Sequence, residues 1–587
     1  MKNVRLFLLP LSLFTLSLAS CSLLMNPSNS GNVTTSISQT DESTDEEDAD
    51  QPYTPTDDED YDWSDPTITG DFSILNENGE ASGFTKSGTT YTINTAGTYT
   101  LKGLLQGRII IDATSSSKIE LDLEGFRIES SENSPIYATK KVDTLKIKAV
   151  EGTTNVVMDN RAAKTTEDDN QFEGAIAGKC DMNFIGKGEL QVYGGYNNGI
   201  HTSKDLKIKN LHLYSYGNNH AIRGGNSIAI LNTSTYVKAV AKIGDGLKSN
   251  DGAVSDKGKQ KGTISITGGI VKIDSMEDGI DAAYDVIVSK GVDEDTEAET
   301  TPTINIYTDK YATLTKAGWH EEGNTDKSAT TAKGMKAANS IAISDGKIYM
   351  KVYDDGLHAN NDYLTDSDDN QLTTKGTGNI AISGGTTTID ASDDGVHADG
   401  TLTIEDGVVN VTNSYEGLEG QHIVISGGTT RVEGKDDGLN AANADTTSSV
   451  VPTITISGGF LEVGVPSTDD HDGIDSNGTY TQTGGIVVCK GPNSNNAAAL
   501  DHDKEATVSG GTLIALGAIE GYGSSGGNPP RPGGPSGGTF TCSLTRVTGL
   551  SLQSSGSHTF SVDGVSYTIK NSYTYAQTLC FTNSTIS

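Results

Sequence analysis

Asp393-Asp394-Gly395-Val396-His397-Ala398 is answered twenty-two residues later by Tyr415-Glu416-Gly417-Leu418-Glu419-Gly420, and twenty-one after that by Asp436-Asp437-Gly438-Leu439-Asn440-Ala441. The phrase is an acid, a glycine, an apolar residue, a polar one and a small one. It recurs at Asp245-Gly246-Leu247-Lys248-Ser249, Asp278-Gly279-Ile280-Asp281-Ala282, Asp354-Asp355-Gly356-Leu357-His358-Ala359 and Asp472-Gly473-Ile474-Asp475-Ser476. Looser copies stand at Asn198-Gly199-Ile200-His201-Thr202, His220-Ala221-Ile222-Arg223, Lys333-Gly334-Met335-Lys336-Ala337 and Ala499-Leu500-Asp501. Gly199 to Ala221 and Gly334 to Gly356 are again 22 apart, and a second marker, Gly385, Gly407 and Gly428, keeps steps of 22 and 21. A fixed period of this size is the mark of a repeat architecture.

Between the phrases lie short alternating runs such as Leu402-Thr403-Ile404 and Val409-Asn410-Val411, so each period holds about three strands divided by glycine or asparagine turns. Twenty-two extended residues cover about 73 Å at ~3.3 Å each, one turn of a three-sided parallel β-helix. An antiparallel sandwich would need hairpin signals, and helical repeats a 3.6-residue period; neither is found. Counting weaker copies at Ile136 and Ile176, thirteen coils are expected, stacked over about 60 Å at ~4.8 Å per coil. The 587 residues would fill three or four average domains, at about 150 residues each. The repeat makes most of them one elongated all-β domain.

Lys and Arg number 42 against 78 Asp and Glu, a net charge of −36, which excludes nucleic-acid binding through surface charge. Hydrophobic residues are 34% of the chain, and the long apolar stretch Leu6 to Leu18 is short of the roughly 20 residues that span a bilayer. That stretch, with Lys2 and Arg5 before it and Leu18-Ala19-Ser20-Cys21 after it, reads as a signal peptide over 1–21 that resembles a bacterial lipobox, with Cys21 lipidated. Residues 22–66 read as an acidic disordered tether, with thirteen acids and no Lys or Arg between Asp41 and Asp65. The β-helix is expected over 67–525, a Gly/Pro linker over 526–538 and a β-rich tail over 539–587, within which Cys542 and Cys580 could pair. Uneven spacing marks an insertion at 290–333, carrying Tyr307, Tyr311 and Trp319, and another with Asp362, Asp366, Asp368 and Asp369, a lesser candidate for a cation.

Alternation fixes the chemistry of the stack. If the apolar residue of the phrase points inward, the next points outward. The outward ridge then reads His201, Arg223, Lys248, Asp281, Lys336, His358, His397, Glu419, Asn440, Asp475, Asp501. The acids before the glycine form a second column, with Asp355, Asp394, Glu416 and Asp437 in four successive coils and Asp354, Asp393 and Asp436 beside three of them. Carboxylates ~5 Å apart repel by about 3 kcal/mol at an effective dielectric of 20, so the column invites a cation. Ligands that are all oxygen select calcium over zinc. The same acids can also cap turns by accepting backbone N–H bonds.

The entry stretch Gly97-Thr98-Tyr99-Thr100-Leu101-Lys102-Gly103, with Tyr196-Asn197-Asn198-Gly199-Ile200-His201, Ser414-Tyr415-Glu416-Gly417-Leu418-Glu419-Gly420 and Asp472-Gly473-Ile474-Asp475-Ser476-Asn477-Gly478, resembles the bacterial "carbohydrate-binding domain-containing" β-helix proteins, over about residues 68 to 517. That family is similar to the calcium-dependent pectate lyases of polysaccharide lyase family 9. The resemblance implies a right-handed parallel β-helix that carries calcium and binds plant-type polysaccharide. It also implies metal ligands from the Asp-Gly phrases, led by Asp245, Asp278, Asp281, Asp355, Asp394 and Asp437, with Asp354, Asp393, Glu416, Asp436, Asp472 and Asp475 in the same registers. The coil at Lys333-Gly334 departs from the pattern, with no acid before its glycine.

Three functions compete. A surface-tethered, calcium-dependent polysaccharide-binding protein would use Tyr415 and Trp319 as aromatic platforms, with His358 and His397 on the ridge. A β-elimination lyase would need a lysine base, for which Lys248 and then Lys336 have the right surroundings. A cell-envelope adhesin or scaffold would present the monomeric rod to another protein. The binding protein is the reading preferred, because a lysine between acids is held in its charged form.

Overall fold

The structure is a computed structural model and describes residues 53, 55, 66–114, 117–166, 171–308, 332–444, 447–468, 471–493, 497–522 and 538–587. Cys21, Tyr311 and Trp319 lie outside the described residues. The phrases initiate strands of one sheet, in parallel from coil to coil: Asn198–Thr202, Ile222–Gly224, Leu247–Lys248, Ile280–Ala282, Met335–Ala337 and Leu357–Ala359 in turn. The order continues through the starts of Val396–Asn413 and Leu418–Ile425 to Leu439–Ala441 and Ile474–Ser476. Each coil adds one strand to a second sheet, as Thr263–Ile266 does over Asp285–Val288, and one to a third, as Ile270–Ser275 does over Thr303–Thr308. The chain is a three-sheet parallel β-helix, as its period predicts. Two coils precede the thirteen counted from the phrases, since Thr90–Ile93 pairs with Arg108–Ile111 and that strand with Ile136–Ala138.

The helix holds together because alternate residues of every strand stack in rows inside it. Ile228, Ile264, Val286, Ile341, Ile380, Leu402, Ile423, Ile454, Tyr480 and Ala506 form one such row, each fully buried. Burial of each large aliphatic member contributes about 1.5–3 kcal/mol. The two glycine markers serve different needs. Gly385, Gly407 and Gly428 have φ of 76°, 84° and 70°, a left-handed turn into the third sheet. The phrase glycine is required by close approach: a Cβ on Gly417 would stand 2.1 Å from Val432 Cγ1 and 2.2 Å from the Gly438 carbonyl oxygen.

The segment 290–333 is not one insertion. Thr303–Thr308, with Tyr307, is a regular strand of the third sheet. Before it stands a small antiparallel hairpin of Gly291–Val292 and Glu299–Thr300, whose Glu294 receives Lys207 at 2.6 Å and Lys209 at 2.7 Å. The other insertion is a hairpin of Tyr363–Thr365 and Gln371–Lys375. It folds back so that the Thr365 carbonyl accepts the N–H of Gly252 at 2.9 Å, and Asp366 Oδ1 caps its turn by accepting from Asp368 and Asn370 N–H.

At the far end Thr539–Cys542 adds a parallel strand to the second sheet beyond Glu505–Val508, and Leu579–Thr582 closes the third sheet antiparallel to Thr512–Leu516. The hairpin of Gly556–Val562 and Val565–Asn571 buries Phe560 and Ile569 with Phe460, Val488 and Ile514 in a second apolar cluster. Cys542 and Cys580 do not pair: Cys542 packs against the helix core, whereas Cys580 is buried in that second cluster.

Candidate functional site

The outward ridge is continuous. His201, Arg223, Lys248, Asp281, Lys336, His358, His397, Glu419, Asn440 and Asp475 are strand partners in that order, one per coil. Each follows a fully buried aliphatic or methionine, from Ile200 to Ile474. Beside the ridge five of the acids before the glycines, Asp245, Asp278, Asp355, Asp394 and Asp437, make a ladder, and one oxygen of each is spent on it. Asp245 Oδ1 accepts the N–H of Asp278 at 3.0 Å, Asp278 Oδ1 that of Lys333 at 2.9 Å and Asp355 Oδ1 that of Asp394 at 3.1 Å. Asp394 Oδ1 accepts from Glu416 at 3.2 Å and Asp437 Oδ1 from Asp472 at 2.8 Å. The second oxygens of Asp245, Asp278, Asp355 and Asp394 meet lysine or histidine side chains of the ridge and its neighbours.

Three stations follow along the column. At the first, one ligand oxygen from each of Asp245, Asp278 and Asp281 lies within 4.8 Å of the others. Lys248 Nζ sits 2.8 Å from Asp245 and 2.5 Å from Asp281, and Lys336 Nζ 3.5 Å from Asp278. Two lysines do not neutralise the group. Burial, with the charges of Asp245 and Asp278, pushes Glu277 up to about 7; burial, with Asp245 and Asp281, pushes Asp278 up to about 6 despite Lys336. Burial would discharge Lys248, but Asp281 and Asp245 outweigh it and hold the ammonium above its usual range. Lys336 is raised too, chiefly by Asp281.

The second station is mixed. Lys333 takes the place of an acid before the glycine, and its Nζ bridges Asp354 and Asp355 at 2.8 Å each. His358 Nδ1 lies 2.8 Å from Asp355 Oδ2, and its ring stacks on His397 with centroids 4.7 Å apart. His397 is enclosed by acids: Nδ1 is 2.7 Å from Glu419 Oε2 and 2.9 Å from Asp394 Oδ2, and Nε2 is 3.3 Å from Asp399 Oδ1. Burial alone would strip its proton, but those carboxylates outweigh it and hold the imidazolium well above the usual histidine range.

The third station has the least compensation. Asp437 and Asp472 make no ion pair with a described residue, and burial, with Asp475 and Asp501 nearby, pushes them up to about 8 and about 9. Asp436 is engaged by His471 Nδ1 at 2.8 Å, and Glu416 accepts from Asn440 Nδ2 at 3.0 Å. Tyr415 donates its N–H to the Asp393 carbonyl at 2.7 Å, and burial, then a hydrogen bond to Asp436, raises its hydroxyl pKa.

The sequence-derived acids are thus brought to one column but divided among stations. Asp245, Asp278 and Asp281 share the first. Asp354, Asp355, Asp393 and Asp394 meet at the second, where Asp354, Asp355 and Asp393 offer oxygens within 4.8 Å. Asp437, Asp472 and Asp475 share the third. Sequence reasoning missed Asp399 and Glu277, which carry no signal beyond their adjacency to a phrase, and read Lys333 only as a break in the acid column.

The fold and its acidic column define a three-sheet parallel β-helix repeat protein, and comparison with known proteins places it in a family. A family profile of carbohydrate-binding domain-containing proteins matches residues 87–374 and 364–417. A carbohydrate-binding domain-containing protein of Acetivibrio thermocellus is 30% identical over 199 residues, which is 34% of this chain and 67% of the relative. The chain belongs to the carbohydrate-binding domain-containing family. Among solved structures, a gadolinium derivative of the polysaccharide lyase-like protein from C. thermocellum is 29% identical, over 38% of this chain and 91% of that one, with a TM-score of 0.33.

Proposed function

We propose that this is a calcium-dependent polysaccharide-binding protein, non-catalytic, exported and held at the bacterial cell envelope through lipid on Cys21, with an acidic pectic or cellulosic glycan as ligand. The observation that carries the reading is the carboxylate ladder, in which one oxygen caps the next coil and the other stays on the ridge. Calcium would be held by carboxylates alone at two stations: Asp245, Asp278 and Asp281, whose ligand oxygens lie within 4.8 Å of one another and from which it would displace Lys248 and Lys336, and Asp437 and Asp472, whose charges Asp475 crowds. Hard oxygen donors and excess negative charge are what that ion takes. When bound it would supply positive charge to a surface that otherwise repels a uronate.

The chain's own residues do the rest. The β-helix keeps the stations in one register, with the coils of Lys333, Asp355, Asp394 and Glu416 between the two that would hold calcium, so that a polymer along the ridge meets them in series and weak contacts add. Lys248 and Lys336 count against catalysis, because a base must release its proton and both are held charged by Asp281 and its neighbours. A glycan array read with calcium and again with chelator tests the reading. Binding of acidic or cellulosic chains lost on chelation is expected; an array blank under both conditions would contradict it.

A further inference from the structure

We propose that the second station is a separate metal site of different chemistry, taking a divalent transition ion such as zinc through His397 Nδ1, Asp394 Oδ2 and Glu419 Oε2. The three side chains come from two adjoining coils, and one ligand atom from each lies within 4.8 Å of the other two. The two oxygens already converge on a single nitrogen, at 2.9 Å and 2.7 Å. An imidazole nitrogen is a poor ligand for calcium and a good one for zinc, and one nitrogen with two carboxylates is a ligand set zinc accepts.

The surroundings are those a ligating histidine needs. The other ring nitrogen, Nε2, faces Asp399 Oδ1 at 3.3 Å, and Asp399 is itself fixed by accepting the N–H of Asn361 at 3.0 Å. A carboxylate on the distal N–H selects the tautomer whose lone pair is on Nδ1 and orients the ring. Asp394 is fixed too, by the Glu416 N–H on its Oδ1. His358, stacked on His397 at 4.7 Å, brings a second imidazole to the station. Asp355 is a poorer donor, since its Oδ2 already meets both Lys333 and His358 at 2.8 Å. The exchange balances: the ion enters, the protons held among His397 Nδ1, Asp394 and Glu419 leave to buffer, and the Nε2 proton stays in its hydrogen bond to Asp399.

Titration calorimetry of the full chain with zinc chloride, in two buffers of different ionisation enthalpy, tests this site apart from the calcium reading. The expected result is one zinc per chain with heats that differ between the two buffers because protons are released, and His397→Asn and Glu419→Gln each weakening zinc by tenfold or more while the calcium-dependent shift in melting stays. Cobalt in place of zinc should give a visible band that His397→Asn removes. Glu419→Gln conserves shape and serves if the histidine variant does not fold. No zinc heat in the wild type, or wild-type affinity in a folded His397→Asn or Glu419→Gln protein, would overturn the proposal.

Discussion

Asp245 accepts the backbone N–H of Asp278, one coil on, at 3.0 Å through Oδ1, and meets the Lys248 ammonium at 2.8 Å through Oδ2. One carboxylate therefore does two things that sequence reasoning sets against each other, capping a turn and charging the ridge. The same division holds for Asp355 and Asp394, which turns the repeated phrase into a ladder of fixed acceptors with a half-buried row of charged partners beside it.

The ladder makes the two kinds of substitution separable. Asp355→Asn keeps an acceptor for the Asp394 N–H but leaves Lys333 on Asp354 alone, whereas Asp355→Ala loses both. Breaking a buried ion pair costs about 3–5 kcal/mol, and an orphaned buried N–H adds about 1–3 kcal/mol. Chemical denaturation should rank wild type above Asp355→Asn and Asp355→Ala lowest. Equal loss in both variants would remove the capping role.

Stability without metal should fall as pH rises. Asp437 and Asp472 have folded pKa values of about 8 and about 9, against about 3.9 for an unperturbed carboxyl. Between those limits the folded state holds protons the unfolded state has lost, so stability declines from about pH 4 to about pH 9. His397, raised by its carboxylates, acts in the same sense: its contribution is lost as pH rises through its folded pKa. Melting in EDTA should therefore drop across this window, and Asp437→Asn with Asp472→Asn should flatten the slope. A midpoint that rises steadily with pH would contradict the crowding of these acids.

Gly417→Ala tests the close approach. Its Cβ would meet Val432 and the Gly438 carbonyl oxygen at 2.1 and 2.2 Å, and overpacking of that kind costs about 1–3 kcal/mol. A melting midpoint like wild type would show that the coils can part without cost.

Polygalacturonate should yield no unsaturated product at neutral or alkaline pH with calcium in excess, because Lys248 is held by Asp245 and Asp281. Steady absorbance from the unsaturated sugar, absent in Lys248→Ala, would establish the lyase instead.

Period and alternation sufficed for the ridge, because strand geometry leaves no freedom in which residue follows an inward Ile280 or Leu418. Side-chain partners were not legible, since they depend on a three-residue offset within a coil and on the next coil at once. Lys333 shows this: in the sequence it breaks the acid column, yet in the structure it donates to Asp354 and Asp355 and its N–H completes the ladder from Asp278. His397 reads as a ridge residue for sugar but is enclosed by Asp394, Asp399 and Glu419. Spacing alone misplaced Tyr307, because the regular strand Thr303–Thr308 lies inside the long interval, after the hairpin of Gly291–Val292 and Glu299–Thr300.

The central claim is that calcium on the acidic column holds a glycan, and retention on immobilised polygalacturonate tests it most directly. Wild type, Asp278→Asn with Asp281→Asn, and Asp437→Asn with Asp472→Asn would be compared with calcium and with EDTA. Retention of the wild type with calcium alone, and its loss in at least one double variant of unchanged strand content, is the predicted result. Wild-type retention that survives EDTA, or persists at full strength in both double variants, would contradict it.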